Sequence, residues 1–392
     1  MTGPLSGLRV LDLSRVLAGP YAGRMLADLG AEVVKVEPPE GDVTRNWGRV
    51  IGGLAGYYTQ HNVGKKGVCI DLRQAEGPAL VRKLAARADV LIENFRPGVL
   101  AQYGLSYAEL GPLNPRLLML SISGYGQHGP ESQRAAYASV VHAESGLVHR
   151  QAAIDRAAPV DIHVSLADTN AGLHGLVGIL AALHERDRTG RGQHLDVSML
   201  DAMLATDDQV HIALDDLPMR HSQVNEIWEV AFGQVVISGD FRWIFRQLHE
   251  RCGLADPTPA GAPLEQKIAL RREAVRTYLR SLPDRASVFA ALNQADLAFG
   301  EVRSSQAALA SESARVRGTV VAVDNRVGGT RPVIQSPYRF SSSSSGAVRG
   351  APYRGEHNRE VLASWLELRP EEIAGLEAGG VLLAEVPPRT SA

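Results

Sequence analysis

The chain has 392 residues, 45% of them hydrophobic and 21% charged, a soluble globular composition with room for two domains or for one large α/β domain carrying an insert. Lys plus Arg total 41 against 43 Asp plus Glu, and the formal charge of −2 supplies no electrostatic footprint for nucleic acid or an anionic membrane. Only Cys69 and Cys252 are present, so neither a disulfide framework nor a thiolate metal site is expected, and the usage fits a reducing cytoplasm.

In chain order, the first residues read directly into a strand at 8–13, so no secretory leader is expected. Apolar residues at Ala22, Met25, Leu26 and Leu29 predict a helix over 19–29, closed by Gly30, and a second strand follows at 32–36. Near-continuously apolar strands imply a parallel sheet covered on both faces. The alternation continues with helices over 75–88, 167–186 and 200–214 and strands over 90–92, 117–122 and 194–198. Repeated β/α units predict a doubly wound, Rossmann-like large domain over 1–215. The apolar stretch 173–184 holds His174, Gly175, Gly178 and His184 and reads as shorter than a membrane span. From 216 to 309 the texture changes to a short strand (234–238) and helices (264–282, 285–292), which predicts a smaller inserted α+β domain. Residues 310–392 return to the large domain, through a five-serine loop at 341–345 and an amphipathic helix over 357–368.

The first βα turn, Gly19-Pro20-Tyr21-Ala22-Gly23, lacks the G-x-G-x-x-G spacing that cradles a pyrophosphate, so a dinucleotide cofactor is not expected. The histidines, among them His61, His128, His142 and His163, show no ligand spacing, and no metal site is expected. The most informative stretch runs from Asp161 to Gly172, where Asp168 stands at the mouth of a long apolar helix. An Asp at that place is either an N-cap or a nucleophile that the helix end keeps ionised and oriented. A carboxylate attacking an activated acyl group forms a mixed anhydride, which is covalent catalysis. The residue pattern alone leaves both readings open.

Ordered blocks add context. Gly7-Leu8-Arg9-Val10-Leu11-Asp12-Leu13-Ser14-Arg15-Val16-Leu17-Ala18-Gly19-Pro20 is followed by Leu29-Gly30-Ala31-Glu32-Val33-Val34-Lys35-Val36-Glu37, and then by Glu93-Asn94-Phe95-Arg96-Pro97-Gly98. Ser123-Gly124-Tyr125-Gly126, Thr189-Gly190-Arg191-Gly192-Gln193 and Gly355-Glu356-His357-Asn358 come later. Together they resemble the family III CoA-transferases, the group that includes formyl-CoA transferase, carnitine CoA-transferases and α-methylacyl-CoA racemase. The resemblance is dense over 5–210 and looser over 300–370.

The resemblance implies an interlocked homodimer and a CoA-transferase that moves CoA from an acyl-CoA donor to a carboxylic acid. No cofactor would be held permanently, because the coenzyme A thioester is itself a substrate. Asp168 aligns with the family's nucleophilic aspartate, and Tyr137 stands where the racemase branch carries a histidine, as it does in the transferases. The resemblance places CoA near Leu72, Arg73, Asn94, Phe95 and Arg96, with Gly124, Gly126 or the start of the Thr169 helix as oxyanion donors. Arginines suit phosphate contacts; solvated surface is the alternative for Arg73 and Arg96. A racemase or a non-catalytic CoA-binding homologue are the competing expectations. The chain differs from the family's pattern at Leu17, Pro38, Ala138 and His142, where Gln, Arg, an acid and Gln are common. A glycine-rich lid is replaced by Val224-Asn225-Glu226-Ile227-Trp228-Glu229-Val230-Ala231-Phe232-Gly233.

Overall fold

The computed structural model describes residues 2–215 and 225–385. Residues 216–224, which open the expected small domain and include Val224 of the lid-replacing segment, lie outside the described residues, as do 386–392. Six strands form the central sheet: β1 (Arg9–Asp12), β2 (Glu32–Glu37), β3 (Lys66–Cys69), β4 (Val90–Glu93), β5 (Leu118–Ser123) and β6 (His194–Ser198). Their order is β3-β2-β1-β4-β5-β6, and every neighbouring pair is parallel. The architecture is therefore mixed α/β around a parallel sheet. Chain direction across the sheet reverses between β1 and β4, which opens a crevice at their carboxyl ends.

Alternate residues of each strand feed opposite cores, as a period of two requires. Leu11, Val34, Leu91 and Met119 pack with α3 (Glu76–Ala85) and with the helix Asn358–Leu366. Val10, Val33, Val90, Leu118 and Leu120 pack with α1 (Ala18–Asp28) and α5 (Leu166–Thr189). Two shorter helices complete the surroundings of the site, α2 (Gly56–Asn62) and α4 (Ala138–Glu144).

The described residues divide into two compact units, one drawn from Met1–Asp208 with Val316–Ala392 and the other from Gln209–Arg315. The second unit contains a three-stranded antiparallel sheet of Glu226–Val230, Gly233–Ser238 and Ala298–Glu301, with helices Phe241–Cys252, Leu264–Ser281 and Arg285–Gln294. Trp228, Ile237, Ile244, Leu248, Val275 and Leu292 fill its core.

Three elements differ from expectation. The helix read over 200–214 is two pieces, Met199–Thr206 and His211–Leu214, because the backbone turns extended at Asp207, whose carboxylate takes the Arg150 guanidinium at 2.6 Å. Strand β3 was not expected, since Lys66-Gly67-Val68-Cys69 has weak strand propensity. Gly67 is needed there because a Cβ would lie 2.5 Å from the Tyr353 carbonyl oxygen. Helix α5 runs 24 residues, close to the predicted 167–186, and, unlike the apolar stretch read at 173–184 as shorter than a span, is long and apolar enough to cross a membrane by length and composition alone. Ala171, Gly175, Leu176, Ile179 and Ala182 are nonetheless buried in the sheet-facing core.

Trp365, 2% exposed, is the largest fully buried side chain among the described residues, and it packs the helix Asn358–Leu366 against the central sheet. Trp365→Ala is expected to lower stability by about 3–5 kcal/mol, read as an earlier denaturant midpoint.

Candidate active site

Asp168 is the third residue of α5, so it is not the cap. Ser165 occupies the cap position without a side-chain bond, and the Asp168 carboxylate is left free to reach across to α1. The N–H of Ala18, the first residue of α1, and its own N–H are near enough to favour its ionised form. That reach depends on Gly172, where a Cβ would lie 2.7 Å from the Ala18 carbonyl oxygen and 3.1 Å from Tyr21. Only a glycine lets the two helix starts meet so closely. Burial pushes the Asp168 carboxyl up to about 6, against the pull of the Ala18 N–H, of His142 and of its own N–H. The helix ends orient the group, but burial outweighs them in setting its acidity.

The turn from β1 into α1 is held by buried charges. Lys65 Nζ donates to Asp12 Oδ2 at 2.7 Å, to the Pro20 carbonyl at 2.9 Å and to Asn62 Oδ1 at 3.0 Å. Asp12 and Lys65 are 0% and 1% exposed. Burial would raise the Asp12 carboxyl, but Lys65 and Lys35 together hold it below its ordinary value. The Ser14 N–H and hydroxyl donate to Asp12 Oδ1, and Lys35 Nζ donates to the Ser14 carbonyl at 2.8 Å and to Asp42 at 3.1 Å. Asp42 in turn accepts from the Val16 N–H at 3.1 Å. Val16 has φ +68°, a left-handed conformation that costs a β-branched residue about 1–3 kcal/mol.

Three cavities meet around this turn. One of about 150 Å³ is lined by Arg15, Asn94, Phe95, Arg96, Gly124, Tyr137 and Asp168. A second, of about 560 Å³, lies along Leu17, Trp47, Tyr57, His61, Val164 and again Tyr137 and Asp168. A third, of about 250 Å³, holds Leu72, Arg73 and Tyr103, and it shares Arg15 and Phe95 with the first. The structure thus brings Tyr137, Asn94, Phe95, Arg96 and Gly124 to Asp168 and sets Leu72 and Arg73 in the next cavity. Gly126 lines none of the three. Its φ of +83° turns the chain so that the Gln127 N–H reaches Asp196 at 2.9 Å. Gly124 earns its place differently, since a Cβ there would meet the Ala136 Cβ at 2.3 Å.

Two expected CoA contacts have other partners. Asn94 clamps the backbone of Arg15, accepting from its N–H and donating to its carbonyl, both at 2.8 Å. The Arg73 guanidinium bonds Asp71 at 2.8 Å and Glu40 at 2.7 Å. Among the described residues, Arg15 and Arg96 form no ion pair, and Arg15 lies over the Phe95 ring at 6.0 Å.

Sequence reading did not single out Trp47, Tyr57, His61 and the His142–Asp161 pair as site residues. The Ala167 N–H donates to His142 Nε2 at 3.3 Å, which assigns the Nδ1 proton to Asp161, 3.1 Å away. His142 therefore ties the start of α5 to the 161–165 segment, and its departure from the family's Gln was the available signal. Burial, with Asp168 and Asp42 nearby, raises the Tyr57 phenol to about 12.

The chain matches the family model described as CoA-transferase family III over residues 5–358. It is 35% identical over 383 residues to the succinate–glutarate CoA-transferase of Agrobacterium fabrum, covering 92% of this chain and 95% of that one. It is 33% identical to the succinyl-CoA–D-citramalate CoA-transferase of Chloroflexus aurantiacus, with 97% and 98% covered. Among solved structures, a CAIB/BAIF family protein from Brucella suis superimposes with a TM-score of 0.80 at 31% identity, over 93% of this chain and all of the other.

Two predictions follow from the electrostatics. A carboxyl raised from 3.8 to about 6 adds stability below its unfolded value and loses that contribution as pH rises through about 6. Asp168→Asn is accordingly expected to raise the melting temperature at pH 8, by about 1–3 kcal/mol of stability, and to leave it nearly unchanged at pH 4. Lys65→Met strands the Asp12 charge in the core and is expected to cost about 3–5 kcal/mol, seen as a large fall in the melting temperature at pH 7.

Proposed function

The chain belongs to CoA-transferase family III, and we propose that it moves CoA from an acyl-CoA donor to a carboxylic acid by covalent catalysis at Asp168. The carrying observation is the Asp168 carboxylate, held between two helix starts and facing a cavity on either side. A carboxyl near 6 is mostly ionised at neutral pH and more basic than an ordinary aspartate, which favours attack on a thioester.

In the proposed sequence, the Asp168 carboxylate attacks the donor carbonyl and expels CoA thiolate, leaving an aspartyl–acyl anhydride. The thiolate attacks the Asp168 carbonyl, giving an aspartyl-CoA thioester and releasing the donor acid. The acceptor carboxylate attacks that thioester and again frees the thiolate. Attack of the thiolate on the acceptor's acyl carbon then makes the new acyl-CoA and restores Asp168. Each step exchanges one acyl bond for another of similar energy and needs no outside reactant. The Ala18 N–H is the donor placed to stabilise charge developing on the Asp168 carbonyl oxygen. Arg15 and Arg96 supply positive charge on one side of Asp168 for the phosphates of CoA, with Leu72, Phe95 and Tyr103 flanking the adjoining cavity as its nucleotide seat.

Racemisation is the weaker reading. Tyr137 stands where the racemase histidine would be, and the neighbouring imidazole, His142, has its Nε2 occupied by the Ala167 N–H. A homodimer is part of the proposal. Leu173, Val177 and Leu180 form a stripe on α5 that is 39%, 64% and 37% exposed, and we assign a second copy to cover it. Cys69 and Cys252, both free, suit a cytoplasmic location.

Incubation with acyl-CoA and hydroxylamine, followed by peptide mass spectrometry, is expected to place a hydroxamate on Asp168 in the wild type and none in Asp168→Asn. The labelling rate should rise as pH passes through about 6, because only the ionised carboxyl attacks. A hydroxamate elsewhere, or none with any acyl-CoA, would refute covalent transfer at this residue.

A further inference from the structure

We propose that an acid served by this protein carries no charge beyond its reacting carboxyl and presents an apolar aromatic or branched skeleton to the cavity beside Asp168. The inference rests on the transferase reading above and narrows its substrate class.

The two cavities that share Asp168 have opposite character. Arg15 and Arg96 lie on the smaller one. The larger, of about 560 Å³, is walled by Leu17, Trp47, Tyr57, His61, Ile162 and Val164, and none of its described lining residues is Lys or Arg. Its aromatic wall is continuous. Trp47 meets Tyr57 edge-on at 5.2 Å between centroids, and Tyr57 meets His61 at 4.7 Å. Such rings stack well against flat or branched hydrocarbon.

Asp161, 3.1 Å from His142 Nδ1, is a carboxylate on that cavity besides Asp168, and Tyr57 and His61 add neutral polar atoms. Burial, with Arg24 and Lys65 nearby, drops the His61 imidazole to about 3, so it carries no charge at physiological pH. Its Nδ1 is buried and has no partner among the described residues. The Tyr57 phenol stays protonated. A second carboxylate on the acyl group would enter a space already lined by the carboxyl groups of Asp168 and Asp161, and no Lys or Arg lines it. A like charge beside these two carboxyl groups is disfavoured, whereas an apolar remainder gains from leaving water against the aromatic wall. The relatives named for succinate, glutarate and citramalate act on acids with a second carboxyl. The pocket predicts that this chain departs from them.

The test compares benzoyl-CoA, isovaleryl-CoA and succinyl-CoA on the wild-type protein, scoring hydroxylamine-trapped Asp168 and kcat/KM. One of the uncharged acyl-CoAs is expected to exceed succinyl-CoA by at least about tenfold, equivalent to about 1.4 kcal/mol. Val164→Arg places a cation on an exposed part of the same wall and is expected to shift that ratio toward succinyl-CoA. Succinyl-CoA labelling Asp168 as well as or better than both uncharged substrates would overturn this inference and leave the transferase reading standing. No labelling of Asp168 by any of the three would overturn both.

Discussion

A buried ion pair, Asp12 with Lys65, sets the geometry from which the site follows. Taking two charges out of water is expensive, and their attraction returns little net stability. Its consequence is conformational. Asp12 also receives Ser14, while Lys35 bridges Ser14 to Asp42, and Asp42 receives Val16. A left-handed valine persists only where its surroundings over-determine it, and here a chain of charge-assisted bonds does so. The result is that α1 begins at the crevice with the Ala18 N–H aimed at Asp168.

The carboxylate at the end of that chain is a compromise between stability and reactivity. Burial that makes Asp168 a stronger base also makes its ionised form unfavourable for folding, and two helix starts recover only part of that cost. Gly172 is the sequence-level condition for the arrangement, because any Cβ would push α5 away from the Ala18 carbonyl. The charge asymmetry around Asp168 follows from which loops converge. The β1 and β4 ends bring Arg15 and Arg96, whereas α2 and the 161–165 segment bring Tyr57, His61 and Val164.

Much of the sheet was legible, because strands such as Val33-Val34 and Leu91-Ile92 are apolar on both faces and the helices between them have regular spacing. Strand β3 escaped notice because its residues are chosen for the backbone of Tyr353 that lies over Gly67, a contact 286 positions away in sequence. The break at Asp207 was hidden for a similar reason, its partner being Arg150. Asp168 was identified as a candidate from its place at a helix start and from the family blocks around it. Whether it capped that helix or faced a cavity could not be read from spacing, since both positions fall within one turn.

By itself, the sequence determined the alternating β/α order, the helix that carries Asp168 and the family to which the chain belongs. Those features are local: periodicity, a glycine stop and short ordered motifs are written in neighbouring residues. The tertiary structure decided what Asn94 and Arg73 bond to, why Val16 is left-handed, and which side of the carboxylate is charged. Each of these depends on groups distant in sequence and brought together only where the parallel strands end. Protonation of a buried group is likewise set by everything around it, so the acidity of Asp168 belongs to the fold and not to its motif.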